Sequence, residues 1–379
     1  MMQPLAYDST PDAADHARLH NFSAGPGTLP LEVILEVREE LPVYGDLGSS
    51  IMEISHRSPA YTEVTNSAVE ALRSLLGLGD DWHVLFLQGG ASMQFHQVPV
   101  NFLPAGGSAD YLNTGTWSQK AIKEAHVVGQ HRGAAPHVVA TSEDKNFSYI
   151  PDRDGWEFGD DAAYLHYTSN NTIFGTQFAE EPEAAVPLVC DASSDFLSRP
   201  LAAERYGLIY AGAQKNIGPA GATVILVQDG FLRQRQSGLP TMLDYGTHAA
   251  KLFNTPPVFA VYIIEKVLRW LQGVGGLQAM EQQNDEKAAR LYGAIDATDF
   301  YRGTAREDSR SRMNVTFRIK DGNEDLEARF IQEAKGEGLL ALKGHRSVGG
   351  LRASIYNACA PASVEALVQF MEEFERTRG

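Results

Sequence analysis

Regular alternation of apolar and polar positions begins near Asn21; before it, residues 1–19 are polar, rich in Asp and Ala and without period, which predicts a flexible arm. Ser58-Pro59 reads as an N-cap followed by a first-turn proline, and Val64, Ala68, Ala71, Leu72, Leu75 and Leu76 then keep helical spacing until Gly77 and Gly79. That spacing predicts a helix buried along one face. His83-Val84-Leu85-Phe86-Leu87 is a short continuous apolar run, followed by Gln88-Gly89-Gly90-Ala91-Ser92 and a helical stretch, so the unit is strand, glycine loop, helix. The pattern repeats with strands over 109–112, 163–167, 186–190, 208–211 and 222–227 and a helix over 117–126. Strands that are apolar on both faces and alternate with helices indicate an α/β fold on a large, mainly parallel sheet covered on both sides.

A long helix is predicted over 257–271, and Gly273, Gly275 and Gly276 punctuate its end. The expected organisation is therefore a large domain over 20–272 and a smaller α+β C-terminal domain over 273–379. The second part carries strands over 314–319 and 351–356 and helices over 325–338 and 362–376. A chain of 379 residues is long enough for two such cores.

Composition narrows the partners more than the fold. With 43% hydrophobic and 21% charged residues, wholesale disorder is excluded. The 48 acidic against 32 basic residues give a formal charge of −16, which repels nucleic acid and anionic lipid. An anionic substrate would need a local basic pocket. Cys190 and Cys359 are the only cysteines, too few for a disulfide scaffold and without metal-ligand spacing, and they suit a reducing cytoplasm. Asp8, Asp12 and Asp15 stand where a signal peptide would be basic and then apolar, and no apolar run approaches the roughly 20 residues of a membrane span. A cytoplasmic location, with neither membrane nor metal, is expected.

The most specific local signal is Tyr210-Ala211-Gly212-Ala213-Gln214-Lys215-Asn216-Ile217-Gly218-Pro219, a lysine in a small-residue turn directly after a buried strand. Alone, this is an ordinary loop lysine; held in a cleft, its amine can form a Schiff base. Asp191 ends another buried strand, where it could keep a pyridinium nitrogen protonated, or simply cap a turn. Gly89-Gly90-Ala91-Ser92 opens a helix whose free N–H groups favour a phosphate, although a tight turn is an equal reading. Trp117 offers a flat face for a ring, or a core side chain, and Thr172 a hydroxyl for a ring oxygen, or an Asx-rich turn. Two His-Arg pairs, His56-Arg57 and His345-Arg346, together with Arg352, suggest recognition of a substrate carrying two or three negative charges.

Taken together, Asn21-Phe22-Ser23-Ala24-Gly25-Pro26-Gly27, Ser55-His56-Arg57-Ser58, the stretch 89–95, the Asp191 and Lys215 segments, Phe253-Asn254-Thr255-Pro256-Pro257 and the stretch 344–357 resemble the phosphoserine aminotransferase family, class V enzymes of the fold-type-I pyridoxal-phosphate group. The resemblance runs from Asn21 to the C-terminus. It implies a fold-type-I transferase using pyridoxal 5'-phosphate, with Lys215 in Schiff-base linkage, Asp191 on the pyridine nitrogen, Trp117 stacked on the ring and Thr172 on its hydroxyl. Gln214 and the backbone at Ala91 and Ser92 would hold the cofactor phosphate. Asn254 and Thr255 would reach the neighbouring subunit's cofactor phosphate, implying a homodimer with shared active sites. Arg352 would bind the substrate carboxylate, with His56, Arg57, His345 and Arg346 around the substrate phosphate. The implied reaction exchanges an amino group between L-glutamate and 3-phosphohydroxypyruvate, giving O-phospho-L-serine and 2-oxoglutarate in serine biosynthesis, or handles the related phosphorylated hydroxythreonine step of vitamin B6 synthesis.

Two features depart from the family pattern. Many members continue Gly-Gly with a third glycine and then Arg or Cys, where this chain has Ala91-Ser92, and the acidic arm is longer than usual. Rival readings are another class V enzyme, such as a serine-glyoxylate aminotransferase or a cysteine desulfurase, and a non-catalytic cofactor carrier. A desulfurase needs a mobile reactive cysteine, whereas Cys190 lies in an expected buried strand. A nicotinamide-dinucleotide enzyme is disfavoured because Gly25-Pro26-Gly27 is followed by Pro30 where the fingerprint requires glycine.

Overall fold

The computed structural model describes residues 18–379, so the predicted arm lies, but for its last two residues, outside the described residues. Seven strands form the main sheet: β1 (Trp82–Leu87), β2 (Ser108–Asn113), β3 (Ala135–Thr141), β4 (Ala162–Thr168), β5 (Leu188–Asp191), β6 (Tyr206–Gly212) and β7 (Thr223–Gln228), in the order β1-β7-β6-β5-β4-β2-β3. All neighbours are parallel except β7, which runs antiparallel to both β1 and β6. The reason is chain length. A parallel return needs a crossover of a dozen or more residues, whereas β6 and β7 are joined by residues 213–222 alone, closed by the Ala213 N–H donating to the Ala222 carbonyl at 3.0 Å. Lys215 sits in that short connection.

The sheet is buried on both faces, which is why its strands read as continuous apolar runs. Ile209, Ala211, Val224 and Leu226 face one core with Ala68, Leu72, Ile264 and Leu268, while Leu208, Tyr210, Ile225 and Val227 face another with Phe95, Val98, Ala121 and Ala125. Helices Pro59–Leu76 and Val258–Gly273 therefore cover one side, and Gly90–Phe102 and Thr116–Gln130 the other. The first of these forms as its sequence predicts: the Ser58 side chain accepts from the Tyr61 N–H, Pro59 opens the helix, and Gly77 closes it in the left-handed conformation. Among the described residues no helix is long and apolar enough to cross a membrane.

The C-terminal part builds a three-stranded antiparallel sheet from Tyr301–Gly303, Asn314–Ile319 and Leu351–Ser354. Helices Gly276–Asp296, Glu324–Gly336 and Pro361–Arg378 supply Leu291, Phe330, Leu367 and Phe374 to its core. Phe22 is buried in the same core, and His20–Asn21 pair in parallel with Leu339–Leu340. Residues grouped by sequence with the large domain are thus stitched into the small one. The segment that follows, Ser23 to Gly27, is thereby drawn across the front of the main sheet.

Candidate active site

Polar groups converge at the end of the sheet where β5 and β6 finish. Asp191, the last residue of β5, is buried, and its Oδ1 accepts from the Ser193 N–H at 3.1 Å and the Ser193 hydroxyl at 2.6 Å. The Ser193 hydroxyl accepts in turn from the Gly212 N–H at 3.0 Å, so one side chain ties the carboxylate to the end of β6. Burial pushes the Asp191 pKa up, against the opposing pull of the Lys215 charge and the Ser193 bonds.

Lys215 is half-buried, and its amine donates to the Ser194 hydroxyl at 2.6 Å and the Thr172 hydroxyl at 3.1 Å. The two hydroxyls are 2.5 Å apart. Burial lowers the amine's pKa to about 8; the charges of Asp191 and Asp195 oppose this, and Arg352 adds to it. With a pKa near 8, about a tenth of this amine is unprotonated at pH 7, far more than in an ordinary lysine, so it can act as nucleophile and base. The Ser23–Gly27 segment walls the turn from outside. Gly27 donates its N–H to the Gln214 carbonyl at 2.7 Å, and a Cβ at Gly27 would lie 2.7 Å from the Lys215 carbonyl oxygen and 2.9 Å from the Tyr356 ring. Only glycine fits there. Tyr356 donates to the Ala24 carbonyl at 2.8 Å, holding the wall in place.

Arg352, on the strand Leu351–Ser354, donates to the Thr172 carbonyl at 3.4 Å, and its buried Nε has no partner. Burial lowers its pKa, and no carboxylate among the described residues pairs with it. A guanidinium so placed is an open anion receptor. His345 lies nearby on the loop preceding that strand. Its Nδ1 accepts from the Ser347 hydroxyl at 2.7 Å and the Ser347 N–H at 3.2 Å, so the neutral ring carries its proton on Nε2. Burial, then Arg352, Arg346 and Lys120, lower its pKa, so three cationic side chains act on one imidazole and favour its neutral form.

Trp117 stands in the first turn of helix Thr116–Gln130 and packs with Val348 on the small cluster of Phe147, Ile173 and Phe174. Lys215 Nζ is 5.7 Å from its ring centroid, and its own indole N–H is buried without a partner. Gly89 and Gly90 take φ values of 95° and 63°, a turn that only glycine makes without strain, and lead into Ala91 and Ser92 at the start of a helix with no side-chain cap.

Two predicted groups lie outside this cluster and make no hydrogen bond to Lys215, Asp191 or Arg352 among the described residues. His56 accepts from Arg57 Nε at 3.3 Å ahead of helix Pro59–Leu76, and Asn254 and Thr255 bond Gln88, at 3.3 and 2.8 Å, at the mouth of the glycine loop. Sequence reading also gave no role to Ser193, Ser194, Lys120 or Tyr356. The paired hydroxyls of Ser193 and Ser194, two and three residues after Asp191, are the one signal that could have been used.

A cleft of about 790 Å³ opens at the opposite ends of the strands beside Trp82, Leu188, Tyr206 and Gln228. It contains neither lysine nor histidine, so it lacks the chemistry gathered at the Lys215 end. The donor set at the Lys215 end suits pyridoxal phosphate: a nucleophilic amine, a buried carboxylate, an indole face and uncapped helix N–H groups. Cys190 and Cys359 are buried, with thiol pKa values raised chiefly by that burial, the reverse of what a desulfurase requires.

Comparison with known proteins agrees. Residues 19–367 match the family described as Aminotransferase class-V. A phosphoserine aminotransferase of Desulfosudis oleivorans is 54% identical over 96% of this chain and 99% of its own, and one of Bacillus subtilis is 47% identical over 95% and 99%. The solved phosphoserine aminotransferase from Bacillus circulans subsp. alkalophilus superposes with a TM-score of 0.92 at 49% identity, covering 96% of this chain and 100% of that one. A pyridoxal-phosphate-bound phosphoserine aminotransferase from Trichomonas vaginalis gives 0.90 at 40% identity, over 94% and 100%. The chain belongs to the class-V aminotransferase family and, within it, to the phosphoserine aminotransferases.

Proposed function

We propose that this chain exchanges an amino group between L-glutamate and 3-phosphohydroxypyruvate, giving O-phospho-L-serine and 2-oxoglutarate, with pyridoxal 5'-phosphate carried on Lys215. The observation that carries this reading is the Lys215 amine, held by Ser194 and Thr172 beside buried Asp191 and within the field of the unpaired Arg352. Pyridoxal phosphate supplies an electron sink for the substrate's α-carbon.

The residues divide the remaining work. Asp191, fixed by Ser193, keeps a ring nitrogen protonated. Thr172 serves the ring oxygen, Trp117 the ring face, and Gln214 with the Ala91 and Ser92 N–H groups the cofactor phosphate. Lys215, with a free-amine pKa of about 8, takes the proton from the substrate α-carbon and returns it on the far side of the transfer. Arg352 grips the α-carboxylate, and His345 and Arg346, joined by His56 and Arg57, hold the distal anion. Both amino donors and both keto acids carry an α-carboxylate and a second anion, so one pocket serves the whole cycle.

The working unit is a homodimer. Val43, Leu47, Met52, Leu252 and Phe253 are exposed apolar side chains from the segments that carry His56-Arg57 and Asn254-Thr255. Covering them with a second copy would carry both pairs to the neighbouring site. The test is an acceptor panel with glutamate as donor. Turnover of 3-phosphohydroxypyruvate well above pyruvate and glyoxylate is expected, and preference for glyoxylate would overturn the substrate reading.

A further inference from the structure

Lys120 has no role in the activity derived so far, yet its surroundings are unusual. It lies in the second turn of helix Thr116–Gln130, close to the positive end of the helix, with no acidic residue in the first turn to balance it. Its natural partner four residues on, Glu124, is taken by His96 Nδ1 at 3.0 Å. Lys120 instead places its amine 4.4 Å from the Trp117 ring centroid, the same ring that lies 5.7 Å from the Lys215 amine. Trp117 packs in one cluster with Val348, from the loop that bears His345 and Arg346. Among the described residues no carboxylate pairs with Lys120, in a chain with 48 acidic residues.

We propose that Lys120 is a substrate-binding residue that joins His345 and Arg346 on the distal anion and favours a phosphate there over a carboxylate. The charge of Lys120 is felt at His345, where it helps to hold the ring neutral. A neutral His345 donates a single hydrogen bond from Nε2, so the second charge of a phosphate dianion falls to the cations around it, whereas a carboxylate needs fewer. This assignment rests on the phosphoserine aminotransferase reading of the site.

The test compares two half-reactions of the holoenzyme, one driven by O-phospho-L-serine and one by L-glutamate, followed by the cofactor's visible spectrum. In Lys120→Met the stem that covers Trp117 is retained and the charge is removed. The KM for O-phospho-L-serine should rise roughly tenfold, as expected for loss of one charge-assisted hydrogen bond, and by several times more than that for L-glutamate. Lys120→Arg should restore most of the difference. Equal changes for both amino acids, or a change confined to cofactor affinity, would assign Lys120 to packing on Trp117 and overturn the proposal. A wild-type enzyme that reacts with glutamate but not O-phospho-L-serine would instead sink the parent reading, and the Lys120 role with it.

Discussion

Lys215 Nζ lies 2.6 Å from the Ser194 hydroxyl, so the amine at the centre of the site is held by a neutral oxygen. That choice of partner matters for reactivity. A contacting carboxylate would hold the ammonium form, whereas hydroxyls leave burial free to lower the pKa to about 8. Only the neutral amine is a nucleophile. In cofactor-free protein, the rate of pyridoxal-phosphate capture should therefore rise with pH and level off above about 8, measured by stopped-flow absorbance. A bend above pH 10, where ordinary lysines titrate, would show that Lys215 is not desolvated as described.

Ser194→Ala removes an acceptor that stabilises the ammonium form while Thr172 retains its own bond at 3.1 Å. The charged state is then disfavoured, so the capture profile should move to lower pH, not higher. Turnover should fall about tenfold, because the same hydroxyl positions the amine for proton transfer. An unshifted profile with normal turnover would mean that the Ser194 contact is incidental.

Asp191→Asn tests charge separately from geometry. Asparagine can still accept from Ser193 through its carbonyl oxygen, so the strand end should be preserved. What is lost is the negative charge that keeps the ring nitrogen protonated. We expect the variant to bind cofactor, as judged by its visible absorbance, and to turn over on the order of 100-fold more slowly. Near-normal turnover would remove Asp191 from the chemistry.

The parts of this protein that were legible in its sequence are those whose physics is local. Helix Pro59–Leu76 announces itself through Ser58, Pro59 and Gly77, and each buried strand through its apolar run. Helix Gly276–Asp296 does not, because its buried stripe of Leu277, Met280, Ala288 and Leu291 is interrupted by Asn284 and Lys287. Both are internal fasteners: Asn284 bonds the Ser198 carbonyl and Asn357, and Lys287 donates to the carbonyls of Ile355, Tyr356 and Cys359. Strand Ala135–Thr141 is an edge strand with several exposed positions, so its pattern is weak. In the site, Lys215 and Asp191 were legible from strand-end placement and family motif. Ser194 and Lys120 were not, since their roles depend on which neighbours the fold brings within reach.

The proposed shared-site homodimer makes a sharper prediction than any single substitution. A cleft lined by Tyr61, Thr65, Leu252, Phe253 and Asn254 joins the helix that follows His56-Arg57 to the Asn254-Thr255 segment, so these pairs lie on one continuous face. If that face meets a second copy, both pairs serve the neighbour's Lys215. Lys215→Ala should abolish transamination, and Arg57→Ala should weaken it about tenfold or more toward the phosphorylated acceptor. In a mixed dimer of the two variants, one site combines both lesions and the other has none. Co-expression should then return roughly a quarter of wild-type activity from random pairing. Differential tags would isolate the mixed dimer, which should carry half the wild-type rate. If His56-Arg57 served its own chain, every site in the mixture would keep one lesion and no recovery would follow.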